Sequence, residues 1–221
     1  MLEVYSVETD TDISNEAFFN LLNLVASEKR RRIERLSNRR DAVNMLIGDI
    51  IARKAICRRT GLTNKSLVFR LNQYGKPFLE NGTDIYFNIS HSGNFAVCAL
   101  NSETVGIDIE IIKKANLKVA KRFFCPDEHE FITKANKINE AFYKIWTMKE
   151  SFVKWEGKGL STPLDSFSVL EIERRGRPYF HAVNVPGEVY CSVCTDTELI
   201  NPCIHGKLSD LLISGYFSEL F

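Results

Sequence analysis

Two carboxylates a residue apart, Asp108 and Glu110 in Val105-Gly106-Ile107-Asp108-Ile109-Glu110, are the first pair in this chain whose type and spacing could do chemistry. In an extended segment, alternation puts Ile107 and Ile109 on one face and the two acids on the other, roughly 7 Å apart at about 3.3 Å per residue. Carboxylates that close repel unless water or a cation lies between them. Hard oxygen ligands suit Mg²⁺, which takes one or two carboxylates plus phosphate oxygens; an ordinary wet strand face would read the same way. A second candidate lies in 142–160, where Phe142, Ile145, Trp146, Phe152 and Val153 recur at helical spacing and Gly157 and Gly159 end the run. Trp146, Glu150 and Lys154 share one face of that helix, with Lys149 beside them. Alone this is an amphipathic helix with a surface Glu–Lys pair; beside the two acids it is one wall of a site whose other wall is a strand. Third, Ser90-His91-Ser92-Gly93 joins two alternating stretches. Its two hydroxyls, imidazole and glycine suit a phosphate, and a plain hairpin connection fits equally well.

The elements that must position these residues follow from periodicity. The spacing predicts a strand over 2–8, a helix from Ile13 to Leu24 with Ser14 as cap, and a basic helical stretch over 28–36. A longer helix runs from Arg40 to Thr60, with Ala42, Met45, Leu46, Ile50 and Ile51 as its apolar stripe and Gly61 as its stop. Strands are expected at 67–71, 85–89, 94–100 and 105–110, with a turn at 72–77. Helices are expected at 115–124 and from Pro126, then the Trp146 helix, then strands at 166–172, 177–183 and 188–195, and an amphipathic tail over 208–220. A long helix followed by strands thus occurs twice, and Phe95-Ala-Val-Cys98 and Tyr190-Cys-Ser-Val-Cys194 share an ending. The expectation is an α+β fold of two similar halves, 1–110 and 111–221, with a cleft between them.

Composition bounds the rest. The 221 residues, 44% hydrophobic and 26% charged, are those of a globular chain with a sizeable core. No apolar run approaches the roughly 18–20 residues that span a bilayer, and acids stand near the start where a secretory signal carries bases. Of the six cysteines only Cys191 and Cys194 are closely spaced, and their odd separation in a strand turns them to opposite faces. Free thiols in a reducing cytoplasm are expected. The net charge of +1 hides eleven basic and four acidic residues between Glu28 and Arg59. Such a patch suits phosphates; nucleic acid is disfavoured by the neutral whole and the lack of a recognisable motif.

Taken together and in order, Gly75-Lys76-Pro77, Asn88-Ile89-Ser90-His91-Ser92, the Asp108/Glu110 strand, and Trp146-x-x-Lys149-Glu150-Ser151-x-x-Lys154-x-x-Gly157-x-Gly159-Leu160 resemble the signature of the 4′-phosphopantetheinyl transferases, of the surfactin-synthetase type. The resemblance implies a pseudo-twofold monomer whose active site lies between the halves. It implies transfer of 4′-phosphopantetheine from coenzyme A to a serine hydroxyl of an apo acyl or peptidyl carrier protein, with release of adenosine 3′,5′-bisphosphate. Carried over by position, Asp108, Glu110 and Glu150 hold Mg²⁺ with the diphosphate, Lys154 pairs with that diphosphate, and His91, Ser90 and Lys76 grip the nucleotide and phosphates. Lys29 and Arg32 fall on the 3′-phosphate, Glu128 matches an acid near the metal, and the carrier docks around 111–126. Glu150 is the candidate base, with Glu110 or a water as alternatives. Two other classes fit parts of the pattern: a Mg²⁺-dependent phosphodiesterase, with water in place of serine, and a non-catalytic carrier- or nucleotide-binding module.

Overall fold

A computed structural model describes residues 1–9, 13–80, 84–198 and 201–213. Ser14 caps α1 (Asn15–Leu22) by accepting from the Ala17 N–H, and α2 (Ser27–Glu34) carries the basic run with only Ile33 buried. Asn38 caps α3 (Arg39–Thr60), which ends at Gly61 in the left-handed conformation, φ +72°. The α3 stripe of Leu46, Ile47, Ile50 and Ile51 is buried, each such side chain contributing about 1.5–3 kcal/mol.

A four-stranded sheet in the order β4-β5-β1-β9 comprises β1 (Glu3–Glu8), β4 (Tyr86–Ser92), β5 (Phe95–Asn101) and β9 (Ile204–Lys207), with β9 parallel to β1 and the other neighbours antiparallel. A three-stranded antiparallel sheet, β6-β8-β7, comprises β6 (Val105–Ile111), β7 (Tyr179–Ala182) and β8 (Val189–Thr195). Between β1 and β4 in sequence lies a short ribbon of β2 (Phe69–Leu71) and β3 (Pro77–Leu79). The first sheet packs Tyr5, Val7, Cys98 and Leu100 against α1–α3. Its other face presents Val4, Val97 and Ala99 to Ile107, Ile109, Cys191 and Val193 of the second sheet. The far side of the second sheet is covered by α6 (Ile138–Glu156). Around α6, α4 (Leu117–Phe123), α5 (Pro126–Lys134) and α7 (Val169–Arg175) build a third core with Phe124, Ile132, Phe142, Ile145 and Val169. A short α8 (Leu208–Ile213) ends the described chain; the rest of the tail expected over 208–220 lies outside the described residues.

The α+β expectation holds, with each long helix flat on its own sheet and ended by a left-handed glycine, Gly61 or Gly157. The shared Val-Cys endings do the same job in both sheets. Val97 and Val193 enter the inter-sheet core, Cys98 turns to α3, and Cys194, paired with Gly106, turns to α6. Cys191 and Cys194 do lie on opposite faces, and all six cysteines are free thiols.

Three expectations fail. Ser90, His91 and Ser92 are not a loop: they pair with Val97, Ala96 and Phe95 in the β4–β5 ladder, and Gly93, at φ +58°, makes the turn with Asn94. The segment 166–172 is not a strand. Ser168 caps α7 by accepting from Glu171 N, and Gly176 stops it at φ +78°, so caps override a pattern that also alternates. Finally, β6 falls in residues 1–110 of the expected division yet pairs in the second sheet, so the change of sheet comes before Val105 rather than after Glu110.

Candidate active site

The two sheets meet where β4 runs beside β6, and side chains rather than a backbone ladder join them. Asn88 Oδ1 accepts from Ile107 N at 2.9 Å. Ser90 Oγ donates to Asp108 Oδ1 at 2.8 Å. Ser92 Oγ donates to Glu110 Oε2 at 2.6 Å and accepts from Ile111 N at 3.2 Å. Alternation explains the choice of residues: three short polar groups at every second position face one strand, while Phe87 on the opposite side enters the core. Helix α6 closes this seam from above. At Gly106 a Cβ would stand 2.0 Å from Ser151 O and 2.4 Å from Trp155 N, so only a bare backbone lets the helix lie so low. That approach sets Lys154 Nζ 2.5 Å from Asp108 Oδ1, 3.0 Å from Ser90 Oγ and 3.2 Å from Ile107 O.

The seam is acidic and short of positive charge. Asp108 is 4% exposed and its Oδ2 has no hydrogen-bond partner, a costly state for a buried carboxylate oxygen. The wet strand face considered for the acids is thus excluded at Asp108, because α6 covers it. Burial pushes the Glu110 carboxyl up, with the Asp108 charge adding to it and the Ser92 hydrogen bond opposing it. Burial also raises Glu150, helped by Asp108 and Glu110 and opposed by Lys154. Three acids that repel one another, one of them with an unpartnered buried oxygen, are opposed by Lys154, with Lys113 acting on Glu110 alone. This donor set fits a divalent cation held by oxygen. The fit rests on charge and on the Asp108 oxygen, since among the described residues no three His, Cys, Asp or Glu side chains already converge on one point.

On the other side of Lys154 the surroundings turn basic. His91, exposed at the end of β4, is pushed below its usual value by partial burial, then by Lys154 and Lys29, against Asp41 and Asp108. Burial lowers Lys29, with Arg32 and Arg53 adding to it, while Asp49, 3.9 Å away, opposes. Arg32, Lys29, His91 and Lys154 therefore share one positive field running from α2 to α6. Beside Glu150 and Lys154 opens a cleft of about 740 Å³, walled by the 74–77 turn, Asn88, the last turns of α6, Arg122 and Phe123 of α4, and residues 162–165. Glu150 and Lys154 line it, whereas Asp108, Glu110, His91, Lys29 and Arg32 lie outside its walls. The glutamate and the lysine are where seam and cleft meet.

Of the residues singled out in the sequence, Asp108, Glu110, Glu150, Lys154, Ser90 and His91 come together, with Lys29 and Arg32 at the basic flank. Four others have different duties. Glu128 is fully buried: Oε1 accepts from Val169 N and Oε2 from Cys125 N and Lys149 Nζ, so no oxygen is left for a metal or a substrate. Lys149 is likewise fully buried against Glu128, not beside Glu150 in the site. Lys76 lines the cleft, but its ammonium is committed to the carbonyls of Lys154 (2.5 Å), Val105 (3.1 Å) and Trp155 (3.4 Å), and burial lowers its pKa to about 8. Trp146 packs on Phe142 and Phe124 in the third core. Sequence reasoning counted the Ser92 hydroxyl among phosphate-binding groups rather than as a link to Glu110, which the spacing of Asn88, Ser90 and Ser92 shows, and it missed Gly106 as a site builder. It missed the wall at 162–165, which no residue pattern marks.

Two family models match the chain: 4′-phosphopantetheinyl transferase, N-terminal, over residues 12–103, and the 4′-phosphopantetheinyl transferase superfamily over 104–198. They meet immediately before β6. Among curated proteins the chain is similar to 4′-phosphopantetheinyl transferase Sfp of Bacillus subtilis (strain 168), 41% identical over 170 residues and 76% of each chain. It is 34% identical to 4′-phosphopantetheinyl transferase gsp of Aneurinibacillus migulanus across 99% of this chain and 98% of that one. A more distant likeness, 30% over 152 residues (62% of this chain and 50% of the other), is to an L-aminoadipate-semialdehyde dehydrogenase-phosphopantetheinyl transferase of Xenopus laevis.

Proposed function

This chain belongs to the 4′-phosphopantetheinyl transferase superfamily, and we propose that its chemistry takes place where Glu150 and Lys154 face both the acidic seam and the cleft. It is an enzyme that transfers the phosphopantetheine group of coenzyme A to carrier proteins. The phosphodiesterase and binding-module alternatives have no support among its relatives, which are named as transferases.

The observation that carries the site assignment is the junction itself. Arg32, Lys29 and His91 take the 3′-phosphate and nucleotide side of coenzyme A, and the diphosphate lies over the seam. The acceptor serine enters from the cleft. Mg²⁺ on Asp108, Glu110 and Glu150 would neutralise charge developing on the diphosphate. Lys154 holds the departing phosphate side through its ammonium. Glu150, reachable from the cleft, takes the proton from the serine Oγ with the carboxylate oxygen that does not face the metal, directly or through a water, as the serine oxygen bonds to phosphorus. The phosphorus–oxygen bond to adenosine 3′,5′-bisphosphate breaks, and that product carries away the bridging oxygen. Glu110 lines no part of the cleft, which favours Glu150 as the base.

The carrier docks over α4. Leu117 and Phe123 are 37% and 40% exposed among Lys113, Lys114, Lys118, Lys121 and Arg122, while Phe124 belongs to the core. Such a surface suits an acidic helix. A cytoplasmic monomer that works without nucleic acid or a bilayer completes the proposal; among the described residues no helix is long and apolar enough to cross a membrane. Incubation with coenzyme A, Mg²⁺ and a panel of apo carriers tests the reading: one phosphopantetheine mass should appear on a carrier serine. Cleavage of coenzyme A with no mass added to any carrier would replace serine by water as acceptor.

A further inference from the structure

Glu128 and Lys149 are the one fully buried acid–base pair among the ion pairs of the described residues, each side chain 0% exposed and 2.8 Å from the other. Burying two charges is costly unless every remaining donor and acceptor is used. Here the outlay is complete. Besides Glu128, Lys149 Nζ donates to Leu164 O at 2.7 Å and to Phe167 O at 2.6 Å, spending its three protons, and it lies 4.3 Å from the centre of the Phe167 ring. Glu128 adds the Cys125 N–H at 2.8 Å and the Val169 N–H at 2.7 Å. Cys125 Sγ reaches Asp165 O at 3.4 Å. A single charge pair therefore ties the start of α5, the middle of α6 and both ends of the 164–169 segment.

That segment is the cleft's outer wall. Thr162 to Asp165 line the cavity and are built only of short 3₁₀ turns, which contribute little rigidity of their own. Arg122 and Phe123, on the same cavity, stand directly before Phe124 and Cys125, and the Phe124 ring lies 5.7 Å from the Lys149 ammonium. Lys149 and Glu150 are consecutive on α6, so the residue that holds the wall and the residue that reacts cannot move independently.

We propose that the Glu128–Lys149 pair is a positioning device: it fixes the gap between Glu150 and the 122–123 and 162–165 walls, and so governs productive seating of the carrier serine. Coenzyme A binding through Lys29, Arg32 and His91, none of which lines the cleft, is independent of it. This rests on the assignment of the cleft to the acceptor. Neither residue touches the reacting atoms.

The test uses Glu128→Gln/Lys149→Met, which removes both charges together and so avoids leaving one buried alone. Val169→Pro is the second variant. It deletes one N–H donor to Glu128 at the first position of α7, where proline is tolerated, and leaves the charge pair intact. Each folded variant is expected to raise the KM for the carrier by about fivefold or more, with kcat within about threefold and the Kd for coenzyme A within about twofold of wild type. A loss in kcat at unchanged carrier KM would overturn the proposal and make Glu128 a group in contact with the reaction. All constants unchanged in a folded variant, or a loss confined to coenzyme A binding, would overturn it equally. If the double variant does not fold, the Val169→Pro constants decide by the same rule. Arg122→Ala and Phe123→Ala variants that keep the wild-type KM for the carrier would instead refute the acceptor assignment beneath it.

Discussion

At the scale of single residues, Asp108 has two duties that its place in an alternating strand does not reveal. It is the seam's most buried acid, and it also accepts from Ser90 and Lys154. Asp108→Ala is therefore expected to lower transfer by roughly 100-fold or more. Relief of repulsion on Glu110 and Glu150 is outweighed by the acceptor lost to a partly buried ammonium, so stability should also fall, by about 1–3 kcal/mol. Transfer kinetics beside a thermal melt check both. His91 gives a pH prediction. Its pKa is lowered in the free protein by burial, Lys154 and Lys29, and a bound phosphate raises it, so binding takes up a proton. Coenzyme A should then bind more tightly as pH falls from about 8 towards about 6, and His91→Gln should flatten that slope; calorimetry at several pH values measures it. Residue types were largely legible: the seam acids, Glu150, Lys154, Ser90 and His91 come together as their motifs implied. A motif names a charge without saying whether protein or ligand neutralises it: Glu128, Lys149 and Lys76 all spend their charge inside the fold.

At the scale of elements, the contact of α6 with β6 sets the site, and one glycine permits it. Gly106→Ala puts a methyl group 2.0 Å from the Ser151 carbonyl oxygen, a backbone atom that cannot swing aside. The helix must lift, taking Glu150 and Lys154 from the seam; about 1–3 kcal/mol or more of stability and most transfer activity should be lost together. A denaturant titration paired with the transfer assay reads this. On α4 the expectation concerns encounter rather than chemistry. Lys118→Glu with Lys121→Glu should raise the carrier KM, more strongly at low salt, and leave the coenzyme A KM unchanged. Insensitivity to both charge and salt would move the docking surface elsewhere. The long helices were readable from their stripes and glycine stops. The short elements were not, because Ser90-His91-Ser92 and 166–172 each carried signals for two structures, and a two-residue turn and a serine cap decided between them.

At the scale of the whole molecule, two helix-on-sheet units face each other across an apolar layer and leave their polar seam at one edge. The repeat was legible from its doubled helix–strand order and its Val-Cys endings. Its boundary was not, since β6 is joined to β4 by side chains and to β8 by a ladder, and only the second is a sheet. Nor was the return of β9 to pair with β1, a contact between opposite ends of the sequence. The central claim is that this seam is a cation–diphosphate site. Mn²⁺ binding followed by electron paramagnetic resonance, with and without coenzyme A, tests it most directly. One Mn²⁺ per chain should bind, more tightly with coenzyme A present, and Asp108→Ala should abolish the binding. Unchanged Mn²⁺ binding in that variant, or full-rate transfer by the wild-type enzyme in EDTA, would contradict the account.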